Sequence, residues 1–365
     1  MPPLTVMIKP VSGACNMRCA YCFYTDVMAR RDTAIYPRMT LETLEAVVRS
    51  AFRCADGAVS FAFQGGEPTL AGVSFFEALV RFEKTYNTRG IRVTNALQTN
   101  GFALSDALIA LLARERFLVG VSLDGTAALH DRLRVDRQGA PTCDRVLENI
   151  RRLQAAGVEF NILCVVNDWV AREPARVFQA LAPYGFIQFI PCLDALDGSR
   201  LPWSLTSERY LDFLRTAFDL YCAAFEAGRP VSVRNFDNYI GMLLGLPPEN
   251  CAMGGTCGRY FLVEGDGGVY PCDFYVLDEW RVGNINETPF SRLGKSPRME
   301  AFVAASLPVP EKCRSCRWFR LCRNGCKRER DPETGLNRWC ECTRAFLEYS
   351  YPRMLKMAER VGRRP

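Results

Sequence analysis

The sequence predicts an α/β protein: a partial, open barrel of six β/α units, followed by a small loop-rich domain organised by metal. Three observations predict it. Short β-rich runs alternate with amphipathic helical stretches through the first 200 residues, chemistry-bearing residues follow four of those runs, and cysteines crowd the chain from Cys251 onwards. Such alternation gives a parallel sheet with right-handed crossovers, whose functional groups gather at the C-terminal strand ends.

Strands are expected at Leu4–Lys9, Val59–Gln64, Ile91–Gln98, Phe117–Leu123, Glu159–Val166 and Ile187–Pro191, each mostly apolar, as strands covered on both faces are. Helices are expected between them at Leu41–Phe52, Ser74–Thr85, Ser105–Arg114, Cys143–Ala156 and Ala171–Leu181, with Thr40 as the N-cap of the first. Residues 1–200 then form the barrel. A helix over Ser207–Glu226 opens a bridging segment, 201–250, and residues 251–365, ending in a helix, form the cysteine-dense module.

Seventeen cysteines, with no signal peptide and no apolar run approaching the ~20 residues of a membrane span, place the chain in a reducing cytoplasm, where thiols bind metal or do redox work. The formal charge of +6 falls to about +1 if eleven thiolates hold three cores of charge +2. The basic residues are dispersed, apart from Arg314–Arg330 and the tail from Arg360 to Arg364, so neither a nucleic acid nor a membrane is expected as a partner.

Cys15-x3-Cys19-x2-Cys22 supplies three thiolates, enough for three irons of a [4Fe-4S] cluster. The fourth iron is left open to chelate S-adenosyl-L-methionine and pass an electron into its sulfonium, producing a 5′-deoxyadenosyl radical that abstracts unactivated hydrogens. A structural zinc site needs a fourth ligand nearby, and the one histidine, His130, is far away in sequence. Gly65-Gly66-Glu67-Pro68 ends the second strand, where two residues without side chains let backbone approach a ligand, or simply make a tight turn. Gln64, Asn100 and Ser122 also stand at strand ends and offer neutral hydrogen-bonding groups to the cofactor. Arg134 either forks onto the methionine carboxylate or lies on a helix surface, and Tyr21 packs on the adenine or in the core.

In the C-terminal region Cys251-x5-Cys257, Cys272, Cys313-x2-Cys316-x5-Cys322-x3-Cys326 and Cys340 suffice for two further four-iron clusters. The C-x2-C spacing suits zinc equally. Cys342 competes with Cys340 for the last place. With Cys340 as the ligand six cysteines remain, Cys54, Cys143, Cys164, Cys192, Cys222 and Cys342, most of which read as small core hydrophobes.

Several strings carry a resemblance to a known family: Pro2-Pro3-Leu4, Cys22-Phe23-Tyr24, Phe61-Ala62-Phe63-Gln64-Gly65-Gly66-Glu67-Pro68-Thr69-Leu70-Ala71-Gly72, Asn161-Ile162-Leu163-Cys164-Val165-Val166 and Tyr270-Pro271-Cys272-Asp273-Phe274-Tyr275. From Pro2 to about Ala358 the chain resembles the anaerobic sulfatase-maturating enzymes, radical S-adenosylmethionine proteins with a C-terminal SPASM module. The resemblance implies a partial (β/α)6 radical-SAM barrel with an iron–sulfur SPASM domain, and oxidation of a cysteine or serine in a sulfatase peptide to Cα-formylglycine. It also implies that Gly65-Gly66-Glu67-Pro68 binds the methionine amino group, with Glu67 supplying a nearby charge. Cys251, Cys257, Cys272 and Cys326 would hold one auxiliary [4Fe-4S] cluster, and Cys313, Cys316, Cys322 and Cys340 the other. Asp273 would be the base that takes the thiol proton, unless it only braces loop amides. The auxiliary clusters would accept the surplus electron, Tyr24 would line the substrate channel, and a carrier such as a flavodoxin or ferredoxin would donate electrons.

Two rivals remain at this level. One is a maturase forming thioether or carbon–carbon crosslinks in a ribosomal peptide. A first strand beginning near residue 4 leaves no preceding leader-recognition domain, which favours a short recognition motif. The other is a zinc-stapled binding protein without turnover, which would be colourless and free of iron.

Overall fold

The structure is a computed structural model that describes residues 3–258 and 260–362. Pro2 of the resemblance and Arg363 and Arg364 of the basic tail lie outside the described residues. The strands are β1 (Leu4–Ile8), β2 (Ala58–Phe63), β3 (Arg92–Thr99), β4 (Leu118–Ser122), β5 (Phe160–Val166), β6 (Phe186–Pro191), β7 (Ser232–Val233), β8 (Tyr260–Val263), β9 (Gly268–Tyr270) and β10 (Gly283–Asn284). The first six coincide, within a residue or so at each end, with the six read from the sequence.

Two compact units emerge. One gathers Met1–Ser122, Asp131–Phe160 and Gly258–Phe302, and the other Leu123–His130, Asn161–Cys257 and Val303–Pro365. Boundaries at residues 200 and 250 follow chain order, whereas these units do not. The cause is β8, which pairs in parallel with β1, Thr5 beside Tyr260 and Ile8 beside Val263, and so draws the segment after Gly258 back to the N-terminal strand. Within the first unit the strand order is β10-β9-β8-β1-β2-β3-β4, parallel from β8 to β4 and antiparallel at β8–β9 and β9–β10.

The strands of this unit are covered more fully on one face than on the other. In β1 and β2, Leu4, Val6, Ile8, Val59, Phe61 and Phe63 are buried while the residues between them are half-buried. The buried face packs on the helices Leu41–Cys54 and Val73–Tyr86: Phe61 meets Phe52, and Phe63 meets Phe76 edge-on with centroids 5.3 Å apart. Thr40 caps the first helix by accepting the Thr43 amide at 3.2 Å, as the sequence predicts. In the second unit β5, β6 and β7 run parallel, and the expected helix Ser207–Glu226 forms over those residues. Its Phe218 packs edge-on against Phe236 and against Phe346 of the C-terminal helix Cys340–Gly362. Cys54, Cys143, Cys164, Cys192, Cys222 and Cys342 are all buried. No helix among the described residues is long and apolar enough to cross a membrane.

One buried acid gives the first unit a pH-dependent stability. Glu83, on the helix Val73–Tyr86, accepts only Asn95 Nδ2, at 3.2 Å, and its Oε1 has no partner among the described residues. Burial pushes its carboxyl from the ordinary 4.5 up to about 7. Between those values the folded chain keeps a proton that the unfolded chain has released. Stability from this group is therefore whole below about pH 4.5 and falls as pH rises through about 7. Glu83→Gln keeps an acceptor for Asn95 and removes the titration. At pH 8 it should raise the anaerobic unfolding free energy by on the order of 3 kcal/mol, with little effect at pH 4.5. Equal effects at both pH values would refute the assignment.

Candidate active site

Cys15, Cys19 and Cys22 lie between β1 and the helix Phe23–Ala29, with Cys22 at that helix's N-cap, and all three are half-buried. The Met17 amide donates to Cys15 Sγ at 3.4 Å, and Asn100 Nδ2 donates to the same sulfur at 3.6 Å and to Asn16 Oδ1 at 2.8 Å. Burial pushes the Cys15 thiol up, and these two donors oppose it. Amide donors aimed at sulfur favour the thiolate a metal needs, so the loop fits an iron–sulfur core.

The glycine pair is explained by the approach of this same loop. A Cβ on Gly66 would lie 2.0 Å from the Ala14 carbonyl oxygen, and one on Gly65, at φ +124°, 2.7 Å from that of Ser12. Gly66 and Glu67 instead donate their amides to Ser12 and Ala14, at 2.7 and 2.8 Å. The glycines thus let two backbones touch, which fastens the Gly65–Pro68 turn to the cysteine loop.

Glu67 is 1 % exposed and fully engaged. It accepts Thr69 N at 3.1 Å, Thr69 Oγ1 at 2.7 Å, Thr99 Oγ1 at 2.8 Å and Asn100 N at 2.7 Å, bracing the ends of β2 and β3. Burial raises its carboxyl above the ordinary range, and these donors offset only part of that rise. Arg134, also buried, donates to the Tyr21 hydroxyl at 2.8 Å, and Ser122 stands half-buried at the end of β4.

Asp273 opens a short 3-10 turn directly after Cys272 and is buried. The Tyr24 hydroxyl donates to its Oδ2 at 2.8 Å, and Gln64 Nε2 donates both to that oxygen and, at 3.0 Å, to Tyr24. Gln64, expected among the cofactor contacts, also reaches the carboxylate. Burial and the Asp273 charge hold the Tyr24 phenol well above its usual range, so it stays a donor. Three residues that the sequence reading did not assign to the site complete the cluster: Lys9, Glu264 and Arg31. Lys9 Nζ lies 2.9 Å from Asp273 Oδ1 and 3.7 Å from Glu264 Oε1, and Arg31 pairs with Glu264 at 3.1 Å. The available signal was a lysine closing an otherwise apolar strand, just before the cysteine loop.

Cys272 belongs to the first unit, where Tyr260 donates its hydroxyl to the sulfur at 3.7 Å; Cys251, Cys257 and Cys326 belong to the second. No group of three or more histidines, cysteines and carboxylates among the described residues closes on a single metal ion. Cys313, Cys316, Cys322 and Cys340 are nonetheless near enough that their charges act on one another. Burial and these neighbours push the Cys322 thiol up to about 11. Such mutual repulsion among thiolates is what a positive core relieves. Cys342 is buried, which raises its thiol to about 12, and the charges of Arg215, Glu208 and Asp212 of the helix Ser207–Glu226 act on it.

A three-cysteine loop on an α/β sheet, with a second thiol cluster downstream, defines a radical-SAM protein with an added iron–sulfur domain. Residues 10–181 match the family model of the Radical SAM superfamily, and residues 251–317 that of an iron–sulfur cluster-binding domain, SPASM. The chain is 41% identical over 372 residues to a cysteine-type anaerobic sulfatase-maturating enzyme of Clostridium novyi (strain NT), covering 100% of both. A serine-type anaerobic sulfatase-maturating enzyme of Bacteroides thetaiotaomicron is 29% identical over 377 residues, covering 96% of this chain and 90% of the relative. The solved structure of native anSMEcpe with bound AdoMet and Cp18Cys peptide superposes with a TM-score of 0.93 at 40% identity, covering 99% of this chain and 100% of that one. The chain belongs to the anaerobic sulfatase-maturating enzymes. The resemblance and the fold class read from the sequence are borne out.

Proposed function

We propose that this chain oxidises a cysteine in a sulfatase peptide to Cα-formylglycine. The observation that carries the reading is the end-to-end match to a cysteine-type relative, at 41% identity over 100% of both chains. Cys15, Cys19 and Cys22 would hold the cofactor-binding cluster. Cys251, Cys257, Cys272 and Cys326 would hold one auxiliary cluster, and Cys313, Cys316, Cys322 and Cys340 the other. Tyr21, Gln64, Gly65, Gly66, Glu67, Asn100, Ser122 and Arg134 shape the S-adenosylmethionine site. When bound, these groups supply a radical that removes a Cβ hydrogen and an acceptor for the electron left behind.

The chain's own part is proton transfer and positioning. Asp273 takes the thiol proton of the substrate cysteine, which turns the oxidised carbon into a thioaldehyde; water then replaces sulfur and sulfide leaves. Tyr24 and Gln64 donate to Oδ2 and keep the carboxylate aimed, and Tyr24 borders the substrate. A flavodoxin or ferredoxin in a reducing cytoplasm supplies electrons, and no nucleic acid or membrane takes part.

The test is an anaerobic assay with paired cysteine and serine peptides, reading 5′-deoxyadenosine and peptide mass. Formylglycine from the cysteine peptide, with one 5′-deoxyadenosine per product, is expected. A product that keeps its sulfur, loses two hydrogens and does not hydrolyse to the aldehyde would replace this reading with crosslinking. Iron-free, zinc-loaded protein would remove both.

A further inference from the structure

We infer that Lys9 is a positioning residue for Asp273, holding the carboxylate by the oxygen that Tyr24 and Gln64 leave free. The inference rests on the reading of Asp273 as the base. Lys9 follows directly on β1 and is 1 % exposed. Burying an ammonium is costly unless it is paired, so its surroundings have to account for it. Its Nζ lies 2.9 Å from Asp273 Oδ1, an oxygen with no hydrogen-bond donor among the described residues beyond this ion pair. The same Nζ stands 4.0 Å from the centroid of the Tyr24 ring, whose hydroxyl reaches the other carboxylate oxygen. One side chain therefore grips both the carboxylate and the tyrosine that orients it.

The neighbouring acid does not account for Lys9. Glu264 is already paired with Arg31 at 3.1 Å and lies 3.7 Å from Lys9, farther than Asp273 does. Arg31 is anchored in turn by Ser12 Oγ at 3.1 Å and by the Ala34 carbonyl. Removing Lys9 leaves the Arg31–Glu264 pair intact and frees Asp273 at one oxygen. The path of the Lys9 stem is also kept open, since a Cβ on Gly65 would come 3.1 Å from its Cγ and 3.2 Å from its Cβ. On a turn as short as Asp273–Tyr275, a carboxylate held at one oxygen can swing about its side-chain torsions.

The experiment compares Lys9→Met and Lys9→Arg with the parent enzyme, anaerobically and with iron reconstituted. Lys9→Met should keep the parental iron and sulfide content and the parental cleavage of S-adenosylmethionine without peptide. Its kcat for formylglycine should fall roughly 10- to 100-fold with KM for the peptide unmoved, and more 5′-deoxyadenosine should form per product. Lys9→Arg should recover much of the loss. Placed on Asp273→Asn, Lys9→Met should cost nothing further, because both changes act through one carboxylate. Parental kcat in Lys9→Met, additive losses in the double variant, or loss of iron from Lys9→Met would each overturn the inference. If Asp273→Asn is itself unimpaired, the base reading fails and takes this one with it.

Discussion

Asp273→Asn should retain its iron and its peptide-independent cleavage of S-adenosylmethionine, yet lose formylglycine formation by about 10²–10⁴-fold. The substitution keeps the shape of the side chain and removes its capacity to take a proton. It also places a donor where only donors point, because Tyr24, Gln64 and Lys9 all converge on the two carboxylate oxygens. An amide nitrogen at Oδ1 faces the Lys9 ammonium and one at Oδ2 faces the Gln64 N–H, neither of which can accept from it, so only the Tyr24 hydroxyl is left as a partner. The cysteines proposed to hold the clusters are untouched, so iron content separates lost chemistry from lost structure. The readouts are peptide mass, 5′-deoxyadenosine and iron per chain. An undiminished formylglycine yield would remove Asp273 from the reaction.

The variant combining Cys15→Ala, Cys19→Ala and Cys22→Ala should lose all radical chemistry while keeping the auxiliary thiols. Iron should fall from about twelve to about eight per chain, and 5′-deoxyadenosine should become undetectable. The physical reason is local. The three cysteines occupy one loop after β1, fastened by the Gly65–Pro68 turn, and the cysteines of residues 251–340 lie on other segments. Continued formation of 5′-deoxyadenosine by the eight-iron protein would show that the triad does not hold the cofactor's cluster. Loss of all iron would show that the thiols downstream hold none of their own.

Much of the frame was legible in the amino-acid order because its signals are local. Strand runs, the Thr40 cap and the helix Ser207–Glu226 depend on near neighbours in sequence, and each appears where it was read. The glycine pair was legible as a close-approach signal, but what approaches is Ala14 and Ser12 of the cysteine loop, a contact between segments fifty residues apart. Gln64 was read as a cofactor contact from its place at a strand end. Its partners, Tyr24 and Asp273, are brought to it by loops that a strand-end argument does not see. Cys340 and Cys342 were close competitors in sequence. In the helix Cys340–Gly362 two residues apart means a rotation of about 200°, so one thiol faces the other cysteines while the other is buried against the helix Ser207–Glu226.

The order of residues was enough to establish the cysteine spacings, the α/β alternation and the family, because each of these is written in intervals of a few residues. Long-range pairing set the surroundings of the carboxylate. Once β8 lies beside β1, the turn carrying Asp273 arrives at Lys9, more than 260 positions earlier in the chain. Such a meeting depends on which strand edge closes over which, and the packing energy of the whole sheet decides that.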